Sequence, residues 1–256
     1  DDVFECHHGV ILTKLLISYT CKDSFLQRGE VMGCEDLYRA TCMLLTDPLP
    51  KNLDAIFFHA RAHGDYDQLF ELVADYYQNN FPYVFINGGD GRHRNGVFSQ
   101  ESWSGAEWWA HDLTTFDVDL EDIVLTKSAL NTKEENNYFL EAAMERNLKS
   151  ALVVGQPHHV VRAFLGLVKS MSDVNYRMRV YAASPKFKAT DSWWQEVYSF
   201  SAFFTPKELP TLEERYRSRF DLAYDEVARI SLYQKKGDLA TFKELFSYLR
   251  QRESII

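Results

Sequence analysis

Cysteine is scarce in this chain of 256 residues. Four occur, Cys6, Cys21, Cys34 and Cys42, none in Cys-x-x-Cys spacing. Free thiols in a reducing, cytoplasmic compartment are the simplest expectation. Metal-ligand spacing is scarce as well: the eight histidines form no Cys/His pattern, and their single His-x-x-x-His pair, His59 and His63, falls at a strand end rather than on a helix. No long apolar run exists: Lys14 interrupts the longest, residues 10–17, far short of the ~18 to 20 needed to cross a bilayer. Positive charge is in deficit, with 28 Lys and Arg against 37 Asp and Glu, a net charge of -9. That balance argues against non-specific binding of nucleic acid, and the basic islands at 92–94 and 215–219 are too local to reverse it. Repeats and low-complexity segments are absent. The chain begins at Asp1 without Met, which leaves a removed leader open.

What the chain does have is apolar and aromatic mass. Hydrophobic residues make up 46%, and 18 Phe with 14 Tyr raise the aromatic share to 14%. One principal core is therefore expected. Residues 1–50 carry helix-like apolar spacing, including Leu37, Ala40, Thr41, Leu44 and Leu45. Pro48 and Pro50 end that pattern. Strand and helix signals then alternate over 51–188. Strands are predicted at 53–58, 83–86, 122–125, 151–154 and 177–182, with helices at 66–77, 106–113, 132–147 and 158–171. Strands separated by single helices pair in parallel through right-handed crossovers, so the expected fold class is a three-layer α/β domain. Residues 189–256 read as a helical extension packed on the core, with Leu239, Phe242, Leu245, Phe246 and Leu249 as its apolar stripe. Trp108, Trp109, Trp193 and Trp194 read as packing residues.

A parallel sheet brings all its strand ends to one edge, where distant residues become neighbours. The first strand delivers His59, Arg61 and His63 there. The second ends in Gly88, Gly89, Asp90 and Gly91, either a tight turn or a cradle for a small polar group. This cluster is neither a dinucleotide fingerprint nor a P-loop. Next comes Asn131-Thr132-x-x-Glu135-Asn136. Thr132 and Glu135 fit a capping box, while Glu135 shares a helix face with Phe139 and also suits a general base. Finally His159 and Arg162 lie in one turn at a helix start, where two basic groups call for an anion nearby. Asp90, Glu135 and His159 together could ligate a hydrolytic metal if they converge.

The ordered set Gly88-Gly89, Asn131-Thr132-x-x-Glu135-Asn136 and His159-x-x-Arg162-Ala163 resembles the SanA/ElyC/YdcF-like family of bacterial proteins, a domain of unknown function. The resemblance spans residues 53–185 and implies a Rossmann-like core with charged residues at the sheet edge. It also implies cell-envelope processes and a small or lipid-linked substrate; binding of S-adenosylmethionine or a nucleotide fits that fold. His59-Ala60-Arg61-Ala62-His63 replaces a glycine-rich first strand end, and Thr126 or Lys127 replaces an acidic residue before Asn131. The leading expectation is an enzyme of undetermined reaction on a small anionic or nucleotide-like ligand. Glu135 and His159 are its catalytic candidates; Gly88, Gly89, Asp90, Gly91, Asn131, Thr132, Asn136, Arg162 and Arg61 are its ligand contacts. A non-catalytic ligand-binding module and a metal-dependent hydrolase are the alternatives.

Overall fold

The computed structural model describes residues 31–59, 66–79, 81–89, 105–186, 197–199 and 216–255. Five strands form one parallel sheet in the order β3-β2-β1-β4-β5. They are β1 (Ile56–His59), β2 (Val84–Ile86), β3 (Ile123–Leu125), β4 (Ser150–Gly155) and β5 (Arg179–Ala183). The intervening helices are α2 (Tyr66–Gln78), α3 (Ala106–Thr115), α4 (Thr132–Glu145) and α5 (Val160–Asp173), after an N-terminal α1 (Val31–Leu45). The sequence thus predicts the three-layer parallel architecture correctly. The N-terminal apolar spacing before residue 31 lies outside the described residues.

Each central strand is buried on both faces, which explains its continuous apolar run. Alternate side chains feed two cores. Ile56, Phe58, Val84, Ile86, Leu152 and Val154 pack with Trp109 and Leu113 of α3 and Leu69, Phe70 and Val73 of α2. Phe57, Phe85, Ala151 and Val153 pack on the opposite side with Phe139 of α4, Phe164 and Leu167 of α5, and Ala40 and Leu44 of α1. α5 crosses the middle of this second layer. Its side chains are therefore almost all buried, from Val160 to Met171.

Local differences from the sequence reading have identifiable causes. The first strand begins later than residue 53 because the Asp54 carboxylate accepts from the Lys149 and Ser150 amides, holding the entry to β4 through a side chain. Trp109 is fully buried, whereas Trp108 is 39% exposed, as neighbours one residue apart on a helix point differently. The stretch read as wholly helical from 189 contains an antiparallel pair, β6 (Val197–Ser199) and β7 (Tyr216–Ser218). Three-residue strands are too short to leave a periodic signal. Helices α6 (Arg219–Lys235) and α7 (Phe242–Gln251) follow, and Ile230, Leu239, Leu245 and Phe246 join the α4/α5 core. Trp193, Trp194 and His63 lie outside the described residues.

Candidate functional site

The chain leaves β1 toward β2 and β3 on one side and returns to β4 and β5 on the other, so the order reverses between β1 and β4. Such a reversal splays the loops apart and opens a crevice at the carboxyl ends. The last paired residues across it are His59 and Gly155. A Cβ at Gly155 would lie 3.3 Å from the His59 carbonyl oxygen, so even a methyl group is tight at the closest approach.

His59 has the strand parity of Phe57, and both face α4. Two strand residues rise ~6.6 Å and four helical residues ~6 Å, which keeps side chains on β1 and α4 in step over two layers. Phe57 stacks on Phe139 with centroids 4.0 Å apart. One layer higher, His59 meets Glu135 and Asn136. Nδ1 of His59 lies 3.2 Å from Glu135 Oε2, and Nε2 lies 3.1 Å from Asn136 Oδ1. Asn136 Nδ2 donates to the Ala163 carbonyl, which turns Oδ1 toward His59 and requires a proton on Nε2. A lone pair on Nδ1 would repel the Glu135 carboxylate, so a second proton lies between Nδ1 and Oε2. The pair is neutral overall whichever atom holds it.

Glu135 is available for this contact because it does not cap its helix. Asn131 does: its Oδ1 accepts from the Glu134 amide at 3.0 Å, and the Glu134 carboxylate accepts from the Leu130 amide and the Asn131 side chain. The expected capping box on Thr132 and Glu135 is thus displaced by one residue. This turns Thr132, Glu135 and Asn136 into the protein, all at or below 5% exposure. Asn131 is accordingly a structural cap in this geometry.

The second half of the cluster is built on α5 and α6. Arg162 donates through Nη1 to Thr132 Oγ1 at 2.9 Å, and its Nη2 lies 2.9 Å from His159 Nδ1. Its Nε and Nη2 edge grips the Glu226 carboxylate in a fork, with Nη2 3.1 Å from Oε1. Arg229 Nη1 adds a contact at 2.9 Å to the same oxygen. Burial opposes ionisation of Glu226, but the His159 ring and the Arg162 charge outweigh it and hold the carboxyl well below its ordinary range. The anion expected beside His159 and Arg162 is therefore supplied by the chain itself. The two histidines close the cluster edge to face, with ring centroids 5.8 Å apart.

The glycine loop owes part of its composition to packing. A Cβ at Gly88 would fall 1.7 Å from the Thr126 carbonyl oxygen at the end of β3. Asn87 bridges the two loops, its Oδ1 accepting from the Gly89 and Ala129 amides and its Nδ2 donating to the Ala129 carbonyl. Asp90, Gly91 and Arg61 lie outside the described residues. Among the described residues no group of three or more His, Cys, Asp or Glu side chains is placed to hold a metal. Asp90 of the expected Asp90, Glu135 and His159 metal set is not among those residues.

Glu135, Asn136, Thr132, His159 and Arg162 converge, as the sequence predicts. His59, reached by the strand-end reading without a role, is central to them; its inward parity was the available signal. Glu226 and Gly166 were missed. Nothing in the local sequence distinguishes Glu226, which lies 64 positions beyond Arg162.

Fold and cluster together define a doubly wound parallel α/β protein with buried charged groups at the reversal of strand order. The chain matches no protein-family model and none of the curated proteins. No helix among the described residues is long and apolar enough to cross a membrane.

Proposed function

We propose that the protein is an enzyme acting on a small anionic or nucleotide-like ligand, S-adenosylmethionine included, at the carboxyl edge of the sheet. This is the role implied by the resemblance to the SanA/ElyC/YdcF-like family. One observation carries the reading: His59, Glu135, Asn136, His159, Arg162 and Glu226 are each at most 5% exposed and meet at the strand-order reversal. A buried ion pair often stabilises a fold no better than apolar residues of the same volume, so two such pairs at the reversal of strand order point to chemistry. In this reading Glu135 and His59 hold a transferable proton, and Asn136 fixes the tautomer. Thr132, His159 and Arg162 border the ligand, with Gly88 and Gly89 on the neighbouring loop. A cytoplasmic location accords with the free thiol at Cys42.

Native mass spectrometry for a co-purified small molecule, followed by thermal shift with nucleotides and S-adenosylmethionine, tests the binding half. A ligand in excess raises the melting temperature by mass action. Glu135→Gln tests the chemistry, because Gln can still donate to His59 Nδ1 while losing the transferable proton. Retained ligand stabilisation with turnover abolished supports the enzyme. Turnover unchanged by the substitution counts against it.

A non-catalytic binding module is the second reading, favoured by one fact: both ring nitrogens of His59 already have partners within the protein. It expects tight ligand retention and no turnover on any phosphoester or methyl-transfer substrate.

A further inference from the structure

Glu226 has the geometry of a ligand. Arg162 is oriented by two bonds that do not involve Glu226, one to Thr132 and one to His159. Its remaining Nε and Nη2 edge meets both carboxylate oxygens, the bidentate arrangement by which Arg recognises carboxylate or phosphate. Arg162, Thr132, His159 and Glu226 are all more than nine-tenths buried, so this is an enclosed receptor rather than a surface ion pair. The carboxylate comes from α6, which presents Ala223, Glu226 and Ile230 to the protein as a single stripe. It reaches the cluster from outside the sheet's own crossover helices.

The geometry points to an oxyanion subsite formed by Arg162, Thr132 and His159 and occupied by Glu226 as an internal competitor. An incoming carboxylate or phosphate takes the same Nε and Nη2 edge and releases Glu226, and α6 with it. This inference deepens the proposed function by naming the ligand group and its gate, and it rests on that reading only for the ligand's further chemistry.

The test compares the native protein with Glu226→Gln, which keeps the volume but cannot present two anionic oxygens. Inorganic phosphate and acetate are titrated in separate arms, each against chloride at equal ionic strength. Binding is read by calorimetry and by melting temperature. Removing the competitor should tighten at least one of the two oxyanions by about tenfold or more, and Arg162→Met should abolish the gain. Whichever arm responds identifies the carboxylate or the phosphate class. In the native protein, saturating anion should speed amide hydrogen exchange across 219–235 and leave α4 unchanged; this arm covers the case in which Glu226→Gln folds poorly. Equal affinity in the two proteins, or unaltered exchange in α6 at saturation, overturns the inference. Oxyanion binding by Glu226→Gln without turnover sinks the enzyme reading and keeps this one. Turnover with oxyanion affinity indifferent to Glu226 does the reverse.

Discussion

Gly166 of α5 and the Asn136 side chain of α4 occupy one space: a Cβ at Gly166 would lie 2.3 Å from Asn136 Nδ2. The glycine therefore lets Asn136 reach both the Ala163 carbonyl and His59. Gly166→Ala should destabilise the protein by about 1 to 2 kcal/mol, overpacking outweighing the ~1 kcal/mol by which Ala favours a helix. In an Asn136→Ala background the obstruction is gone, and the same change should become stabilising. Urea denaturation of the four proteins in a double-mutant cycle reads the reversal of sign, and additivity would dismiss the shared space.

Gly88 poses the more severe case, because the obstructing atom is backbone. Thr126 is held by its own amide on the Ile86 carbonyl, so it cannot withdraw from a Cβ that would lie 1.7 Å from its carbonyl oxygen. Gly88→Ala should cost about 3 kcal/mol or more, and Gly155→Ala, with 3.3 Å available at the His59 carbonyl, about 1 kcal/mol. Denaturation midpoints in that order support a packing role for Gly88. A tolerated Gly88→Ala would return the residue to the ligand reading alone.

The sheet was legible because its strands are continuous apolar runs set between helical segments, and topology rules leave few ways to pair them. The cluster was legible where chemistry sits at strand ends, as with Glu135, Asn136, His159 and Arg162. What escaped notice depended on register or on distant contact. Asn131 rather than Thr132 caps α4, a shift of one residue that decides whether Glu135 faces water or His59. Glu226 sits on a helix with no motif around it, and only the fold brings it to Arg162. Gly166 looks like a helix weak point until the side chain opposite it is known.

Acid should reveal the Glu226 contact. Its carboxyl titrates well below the ordinary 4.5 in the folded protein. The ionised form therefore favours folding, and the contribution is fully present above the unfolded value. It fades as pH falls through the lower folded value. Relative to Glu226→Gln, the native protein should hold its full stability advantage at pH 6 to 7 and lose it progressively below about pH 4.5. Guanidinium unfolding of both proteins across that range checks the sign. A stability difference independent of pH would show that the charge on Glu226 does not stabilise the fold.

The outer edge of β5 is capped at Val180 by two side chains. Tyr248 of α7 accepts from the Val180 amide at 2.6 Å and donates to the Met178 carbonyl at 2.9 Å, while Arg252 donates to the Val180 carbonyl. Burial raises the Tyr248 pKa, which keeps the hydroxyl protonated and able to serve both partners. Edge strands with unmet backbone groups recruit other chains, so this cap does more than stabilise. Tyr248→Phe preserves the ring against Phe164 but leaves a buried amide without its acceptor, at a cost of about 1 to 3 kcal/mol. Faster amide exchange at Val180 and concentration-dependent association should accompany the loss. If the variant associates no more than the native protein at high concentration, with Val180 still protected, α7 covers the edge by packing alone and the hydroxyl is dispensable.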